Sequence, residues 1–255
     1  MQNTETTLDK THKPYISVII PTLNEEPRLE RLLKSLQKQT FKDFEVIIVD
    51  GGSKDKTVDI ANRFSAKVFV KEKCKEFPSR NIGADIANGD VLLFLSADVF
   101  LPVDILEYLV NIFKRNDVSG ICGMGMPFGA PLWMKIEYFA FWRALRIWSM
   151  VTKDFHGSTN FMAAKKKDFH EVGGFVDEFC ADTIFFNNLG KKRKVKMLSR
   201  VAVFVSGRRA KKMGFVNFTT HFMWVIVFDY VPFLRNSPIT RALQIYSSGY
   251  RTKHG

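Results

Sequence analysis

Phe44-Glu45-Val46-Ile47-Ile48-Val49-Asp50-Gly51-Gly52-Ser53 sets a nearly continuous apolar run against an abrupt turn. Such a run reads as a strand covered on both faces, because a half-solvated strand would alternate apolar and polar residues. Asp50-Gly51-Gly52-Ser53 closes it, and Val58, Ile60, Ala61 and Phe64 then recur at helical spacing. The same grammar precedes it. Ile16-Ser17-Val18-Ile19-Ile20 ends at Pro21, and a helix from Glu25 to Lys38 carries Leu29, Leu32, Leu33 and Leu36. It also follows, as a strand at Lys67 to Val70, a helix from Pro78 to Ala87 and the strand Val91-Leu92-Leu93-Phe94-Leu95. This alternation predicts an α/β fold with a mixed, mainly parallel sheet flanked by helices. Ligands of such sheets bind beyond the carboxyl ends of the strands. The turns Pro21 to Glu25, Asp50 to Asp55 and Ser96-Ala97-Asp98 should therefore share one rim.

The chain has 255 residues, 46% hydrophobic and 25% charged, which excludes a disulfide-stapled miniprotein, wholesale disorder and a fibre. Lys+Arg 38 against Asp+Glu 26 gives a net charge of +12, pointing to anionic partners such as phosphates, nucleic acid or acidic lipid. The basic residues are scattered without a base-reading motif, so nucleic acid ranks last. Cys74, Cys122 and Cys180 form no CxxC pair and no dense framework, which suits a reducing cytoplasm. Residues 1–14 read as a disordered polar tail with no apolar core of a signal peptide. Beyond Pro102 come a helix, a Gly-rich stretch from Gly120 to Gly129, and an aromatic segment from Pro131 to Met150. Regularity then weakens. A block from His156 to Arg209 holds Gly173-Gly174-Phe175, Asp182, Lys191-Lys192-Arg193-Lys194 and a strand at Val201 to Val205.

Four ordered stretches resemble the family 2 inverting glycosyltransferases of the GT-A fold, a Rossmann-like architecture. They are Val18 to Glu25; Val46 to Ser53 with Asp55 and Thr57; Arg80-Asn81-Ile82-Gly83 with Ala87 to Asp98; and Gly173-Gly174-Phe175 upstream of Asp182. The resemblance spans roughly residues 15–210. It implies a glycosyltransferase domain there, with a nucleotide-binding half at 15–100 and an acceptor half at 101–210, followed by an amphipathic extension at 211–255.

A nucleotide-sugar needs acceptors for base N–H and ribose O–H groups, and cations for its diphosphate. The resemblance places Pro21, Thr22, Asn24, Glu25, Asp50, Gly52, Ser53, Arg80, Asn81, Ser96 and Ala97 around a UDP- or GDP-type donor, with Asp50 on the base. A tight turn that caps the next helix is the plainer reading of Asp50 to Ser53. Asp98 is the candidate ligand for Mg²⁺ or Mn²⁺, since a hard cation bridging phosphates takes carboxylate oxygen. The family's Asp-x-Asp is here Ser96-Ala97-Asp98. A helix cap is the alternative for Asp98. Asp182 is the candidate catalytic base, with Asp177 and Glu178 nearby; the family's preceding acid is Ala181. The start of a helix running to Leu189 is the alternative for Asp182. Arg208 and Arg209 resemble a Ser-x-Arg-Arg element that would hold the leaving diphosphate, against the reading of a solvated loop. His221 is a candidate metal ligand, and His156 a candidate donor, though a lone His is more often structural. Gly157-Ser158-Thr159-Asn160 would form a small-residue wall where the acceptor approaches.

Trp133, Trp142 and Trp148 cluster in one segment and Trp224 lies in Phe215 to Leu234. Lys135, Arg143 and Arg146 share a helical face, with aromatics over much of the rest, the layout of a helix in a bilayer interface. The apolar run Phe222 to Phe228 is too short to span a bilayer. These features suggest a protein peripheral to the inner face of the cell membrane, acting on a lipid-linked or glycan acceptor such as a polyprenyl phosphate. Core packing or a homodimer seam would explain the same aromatics. A further alternative to catalysis is a nucleotide-sugar-binding protein weakened by Ser96 and Ala181.

Overall fold

The computed structural model of the chain describes residues 13–178 and 180–206, together with Thr220. Outside them lie Arg208, Arg209, His221, Trp224 and nearly all of the tail expected over 1–14 and the extension expected over 211–255.

Strand β1 (Ile16–Thr22) leads into α1 (Glu26–Gln37), β2 (Phe44–Asp50) into α2 (Thr57–Arg63), and β3 (Lys67–Val70) into α3 (Glu76–Ile86). Then come β4 (Val91–Leu95), the short β5 (Val99–Phe100), α4 (Ile105–Arg115), β6 (Gly120–Phe128) and the long α5 (Leu132–Thr152). The described chain closes with β7 (Phe161–Lys165), α6 (Lys166–Glu171), α7 (Ala181–Lys192) and β8 (Val195–Ser206). They build one sheet in the order β3-β2-β1-β4-β7-β6-β8-β5. Its first four strands are mutually parallel, β7 runs antiparallel to β4 and β6, and β8 runs parallel to β6. The expected mixed sheet is thus present.

Apolar residues of successive strand positions enter two cores, one on each face of the sheet. Val18, Ile20 and Leu93 pack with Leu29, Leu32 and Leu33 of α1 and with Leu106 of α4. Ile19, Ile47 and Phe94 pack on the other face with Phe169, Phe185 and Phe186. Parallel pairing sets Thr22 opposite Asp50, and antiparallel pairing sets Phe161 opposite Leu95. The carboxyl ends of β1, β2 and β4 and the entry to β7 therefore meet at one edge.

Three features correct the sequence reading. The Gly-rich stretch is a strand, and the weakly patterned region after it supplies β7 as a central strand. Glycine is a poor strand former, so β6 carries little local signal. Its neighbours demand it: a Cβ on Gly123 would lie 2.3 Å from Phe161 Cδ1 and 2.7 Å from Ala202 Cβ. Strand β8 starts at Val195, not Val201. The aromatic segment does form a helix, α5, but Trp142 is not at its solvent face. Trp142 is buried and its indole N–H donates to the Leu198 carbonyl at 2.7 Å, while Arg146 Nε donates to the Met197 carbonyl at 3.3 Å. Both side chains clamp α5 onto β8. Among the described residues no helix is long and apolar enough to cross a membrane.

Gly123→Ala should lower the stability of the chain by about 1–3 kcal/mol in urea denaturation, because Phe161 and Ala202 must move apart. Unchanged stability would show that this seam is loosely packed.

Candidate functional site

The rim is built by two loops joined side by side. Asp50 ends β2 fully buried, and each of its carboxylate oxygens takes two hydrogen bonds. Oδ1 accepts from the backbone N–H groups of Gly52 at 2.9 Å and Ser53 at 2.7 Å; Oδ2 accepts from Thr22 Oγ1 at 2.7 Å and Ser53 Oγ at 2.6 Å. A buried carboxylate is tolerated only with such company. The remaining contacts run along the two loops in step. Asn24, in the left-handed region at φ 54°, gives its N–H to Ser53 Oγ at 2.8 Å and takes the Lys54 N–H on Oδ1 at 2.8 Å. Glu25 N–H donates to Thr57 Oγ1 at 2.8 Å, and Glu26 N–H donates to Asp55 Oδ2 at 3.0 Å. Burial pushes the Asp55 carboxyl up, but the Thr57 hydroxyl and the N–H groups of Glu26 and Thr57 outweigh it and hold it below its ordinary value. The Glu25 carboxylate accepts from Arg28 Nη1 at 2.7 Å. Pro21 precedes this junction within β1 and Gly52 turns it at φ 94°.

A second cluster gathers where α3, β4 and the entry to β7 converge. Arg80 is fully buried. Its Nη2 donates to Glu76 Oε1 and to the Thr159 carbonyl, both at 2.8 Å, while Nε and Nη1 have no hydrogen-bond partner among the described residues. Ser96 Oγ donates to the same Thr159 carbonyl at 3.0 Å. One backbone oxygen thus draws a guanidinium and the serine of the Ser96-Ala97-Asp98 motif together. Ala97 is buried and Asp98 half-buried beside it. Asn81 bonds the backbone of a turn beyond the rim. Its Nδ2 donates to the Phe175 carbonyl at 2.7 Å and its Oδ1 accepts the Phe175 N–H at 3.0 Å, so its amide fastens the Gly173-Gly174-Phe175 turn to α3.

Asp182 occupies the first turn of α7, half-buried, with Oδ1 accepting the Thr183 N–H at 3.0 Å. Gly157 lies against it so closely that a Cβ there would be 2.5 Å from Asp182 Cβ. The Gly157 N–H donates to Thr183 Oγ1 at 3.2 Å. The four residues 157–160 therefore link Asp182 to the Arg80–Ser96 cluster, with Gly157 at one end and the Thr159 carbonyl near the other. His156, buried at the head of this link, is the side chain next to it. Cys122 lies beneath: burial first, and the Asp182 charge second, hold its thiol well above the ordinary value, which makes it an inert core group. Asp177 pairs with Lys75 at 2.7 Å on the exposed surface.

The donor set bears on a metal. Among the described residues no three His, Cys, Asp or Glu side chains converge to cage a cation. Asp98 supplies one carboxylate, and the Ser96 hydroxyl retains lone pairs after donating to Thr159. This set fits Mg²⁺ or Mn²⁺ held jointly by the protein and a diphosphate, with waters completing its shell.

The sequence pattern of Glycosyl transferase family 2 matches residues 17–171. The chain belongs to that family. A PGL/p-HBAD biosynthesis glycosyltransferase of Mycobacterium tuberculosis is 43% identical over 115 residues, 42% of this chain and 45% of the relative. A GalNAc(5)-diNAcBac-PP-undecaprenol beta-1,3-glucosyltransferase of Campylobacter jejuni is 37% identical over 111 residues, 41% of this chain and 35% of the relative. The chain thus spans less than half the length of these curated relatives. A mannosyltransferase of Pyrobaculum calidifontis, solved with GDP-Man and Mn²⁺, superposes with a TM-score of 0.61 at 22% identity, over 80% of this chain and 61% of that one. S. aureus TarS 1-349, solved with UDP-GlcNAc, gives a TM-score of 0.57 at 20% identity, over 88% and 67%. The family 2 member therefore has the GT-A fold.

Sequence reading missed the Thr159 carbonyl as the hub of the second cluster and Glu76 as the partner of Arg80. Backbone oxygens leave no mark in a side-chain pattern. Glu76 had a usable signal, since it stands four residues before Arg80 on one helix.

Asp50→Ala should destabilise the chain by about 3 kcal/mol or more, because it leaves the Thr22 hydroxyl and two loop N–H groups without their acceptor. Thermal or urea unfolding checks this, and a loss below about 1 kcal/mol would mean that the loops are held mainly by their other contacts.

Proposed function

We propose that this family 2 member transfers a sugar, with inversion, from a UDP- or GDP-activated donor to a lipid-linked or glycan acceptor at the inner membrane face. The observation that supports it is the single rim joining the zipped loops at Thr22–Glu26 and Asp50–Thr57 to Arg80, Ser96 and Asp182 through residues 157–160. The names of the relatives favour the same class, since one is named for transfer to a polyprenyl diphosphate-linked glycan and two solved neighbours hold nucleotide-sugars.

The edge of the loops at 22–26 and 50–53 would receive the nucleoside, with Asp50 holding the loops from beneath, and the buried Arg80 would lend positive charge to the phosphate side, its Nε and Nη1 having no hydrogen-bond partner among the described residues. Asp98 would hold Mg²⁺ or Mn²⁺, which when bound neutralises charge growing on the departing diphosphate. Arg208 and Arg209 would add to that neutralisation. Asp182 takes the proton from the acceptor hydroxyl as its oxygen bonds to the anomeric carbon. The bond from that carbon to the diphosphate oxygen breaks on the opposite face. An acceptor phosphate, already anionic at pH 7, would need no such base. A second reading, donor binding without turnover, draws on the Ser96 hydroxyl being bonded to Thr159 where the family places a carboxylate.

The test joins binding to transfer. Thermal shift against nucleoside diphosphates and nucleotide-sugars, each with Mn²⁺, Mg²⁺ or EDTA, should show a rise with one base, larger with metal. Asp182→Asn should keep that shift and lose transfer to a hydroxyl acceptor by about 10²-fold or more. Near-wild-type transfer by Asp182→Asn would exclude Asp182 as the base; a shift without transfer to any acceptor would favour the binding reading.

A further inference from the structure

Helix α5 buries one face, and among the described residues nothing covers the opposite one. Met134, Trp142 and Ser149 face the protein. Leu132, Ile136, Phe139, Ile147, Met150 and Val151 are 42–79% exposed. At 100° per residue these six fall within about a third of the helix circumference, centred opposite the buried residues. Isolated exposed apolar residues are ordinary, whereas a continuous stripe along a 21-residue helix is not.

The charges on this face have one sign. Lys135 and Arg143 are exposed along the stripe and no acidic residue of α5 is exposed; beyond the helix end Lys153 and Asp154 are both exposed and offset one another. The Arg143 guanidinium lies 4.9 Å from the Phe139 ring centroid, so its stem follows the apolar surface. An apolar stripe whose exposed charges along the helix are cations is complementary to a surface that is apolar beneath and anionic above. A second copy of the same face would oppose cation to cation.

We propose that the exposed face of α5 is a docking surface for an anionic lipid bilayer, with the helix lying in the interface plane. It differs in part from the arrangement expected from the sequence: Trp142 and Arg146 hold the helix to the body, Trp148 is 45% exposed, and aliphatic residues with Phe139 make up the stripe. The placement serves the site. From Thr152 at the end of α5, four residues lead to Gly157 against Asp182, so docking would set that carboxylate near the lipid surface. The proposal does not depend on the donor or on catalysis.

Cosedimentation of the full chain tests it with vesicles of phosphatidylglycerol and of phosphatidylcholine alone. The wild type should bind phosphatidylglycerol vesicles at low salt and lose binding as salt rises. Ile136→Glu combined with Ile147→Glu should lower that affinity by about tenfold or more, and Lys135→Glu with Arg143→Glu should remove its salt dependence. Val70→Glu, on an exposed residue of the far edge strand, should change neither. Unaltered melting temperatures would establish that the variants fold. Vesicle binding that survives the Ile136→Glu, Ile147→Glu change, or absence of binding by the wild type at low salt, would overturn the proposal. So would a dimer, seen by sedimentation velocity, that this double variant dissociates.

Discussion

The buried carboxylate of Asp50 is the constraint on which the rim depends. A charge out of water at the end of a central strand must be matched by donors, and here Thr22 of β1 and Gly52 and Ser53 of the turn after β2 provide them. Satisfying Asp50 fixes the separation of two loops that sequence distance alone would leave independent. Ser53 then passes the order on, its hydroxyl donating a hydrogen bond to Asp50 and accepting one from the Asn24 N–H. Thr57 and Asp55 repeat the pattern one turn later and cap α1 and α2 together. The site is rigid there because its polar groups are spent on one another.

The second half of the rim is organised differently. A single carbonyl, that of Thr159, orients both Arg80 and Ser96, and it does so only because β7 enters the sheet beside β4. The family's carboxylate at the position of Ser96 would place a formal negative charge next to the Arg80 guanidinium. Serine leaves that guanidinium with fewer protein partners and shifts the balance of the rim toward positive charge. Asp98 is then the carboxylate of this motif that a cation shared with a diphosphate would meet. In the proposed function the two halves divide the work: Asp50 holds the shape of the loops, and Arg80 and Asp98 would carry the charge.

Much of this was legible in the sequence, for physical reasons that also mark where legibility stops. Strands β1, β2 and β4 announced themselves because strands covered on both faces are apolar throughout. The turns after them carry Pro21, Asp50-Gly51-Gly52-Ser53 and Ser96-Ala97-Asp98, residues that chemistry and chain reversal both favour. Strands β6 and β7 were hidden, since Gly120, Gly123 and Gly125 record the bulk of neighbours such as Phe161 and not a local preference. Asn81 showed its polarity but not its partner, the Phe175 backbone, 94 residues away. On α5, composition revealed an amphipathic helix and misplaced its faces: a tryptophan can bury its ring and spend its N–H on a carbonyl, as Trp142 does with Leu198.

Amide hydrogen exchange in the presence of nucleoside diphosphate and Mn²⁺ addresses the account most directly, since it reads the backbone of the rim. The account predicts that UDP or GDP slows exchange at residues 22–26 and 51–57 together with 96–98, and leaves the far end of the sheet around Lys165 and Lys194 unchanged. Protection confined to another surface, or none at saturating nucleotide, would contradict the claim that these joined loops form the donor site.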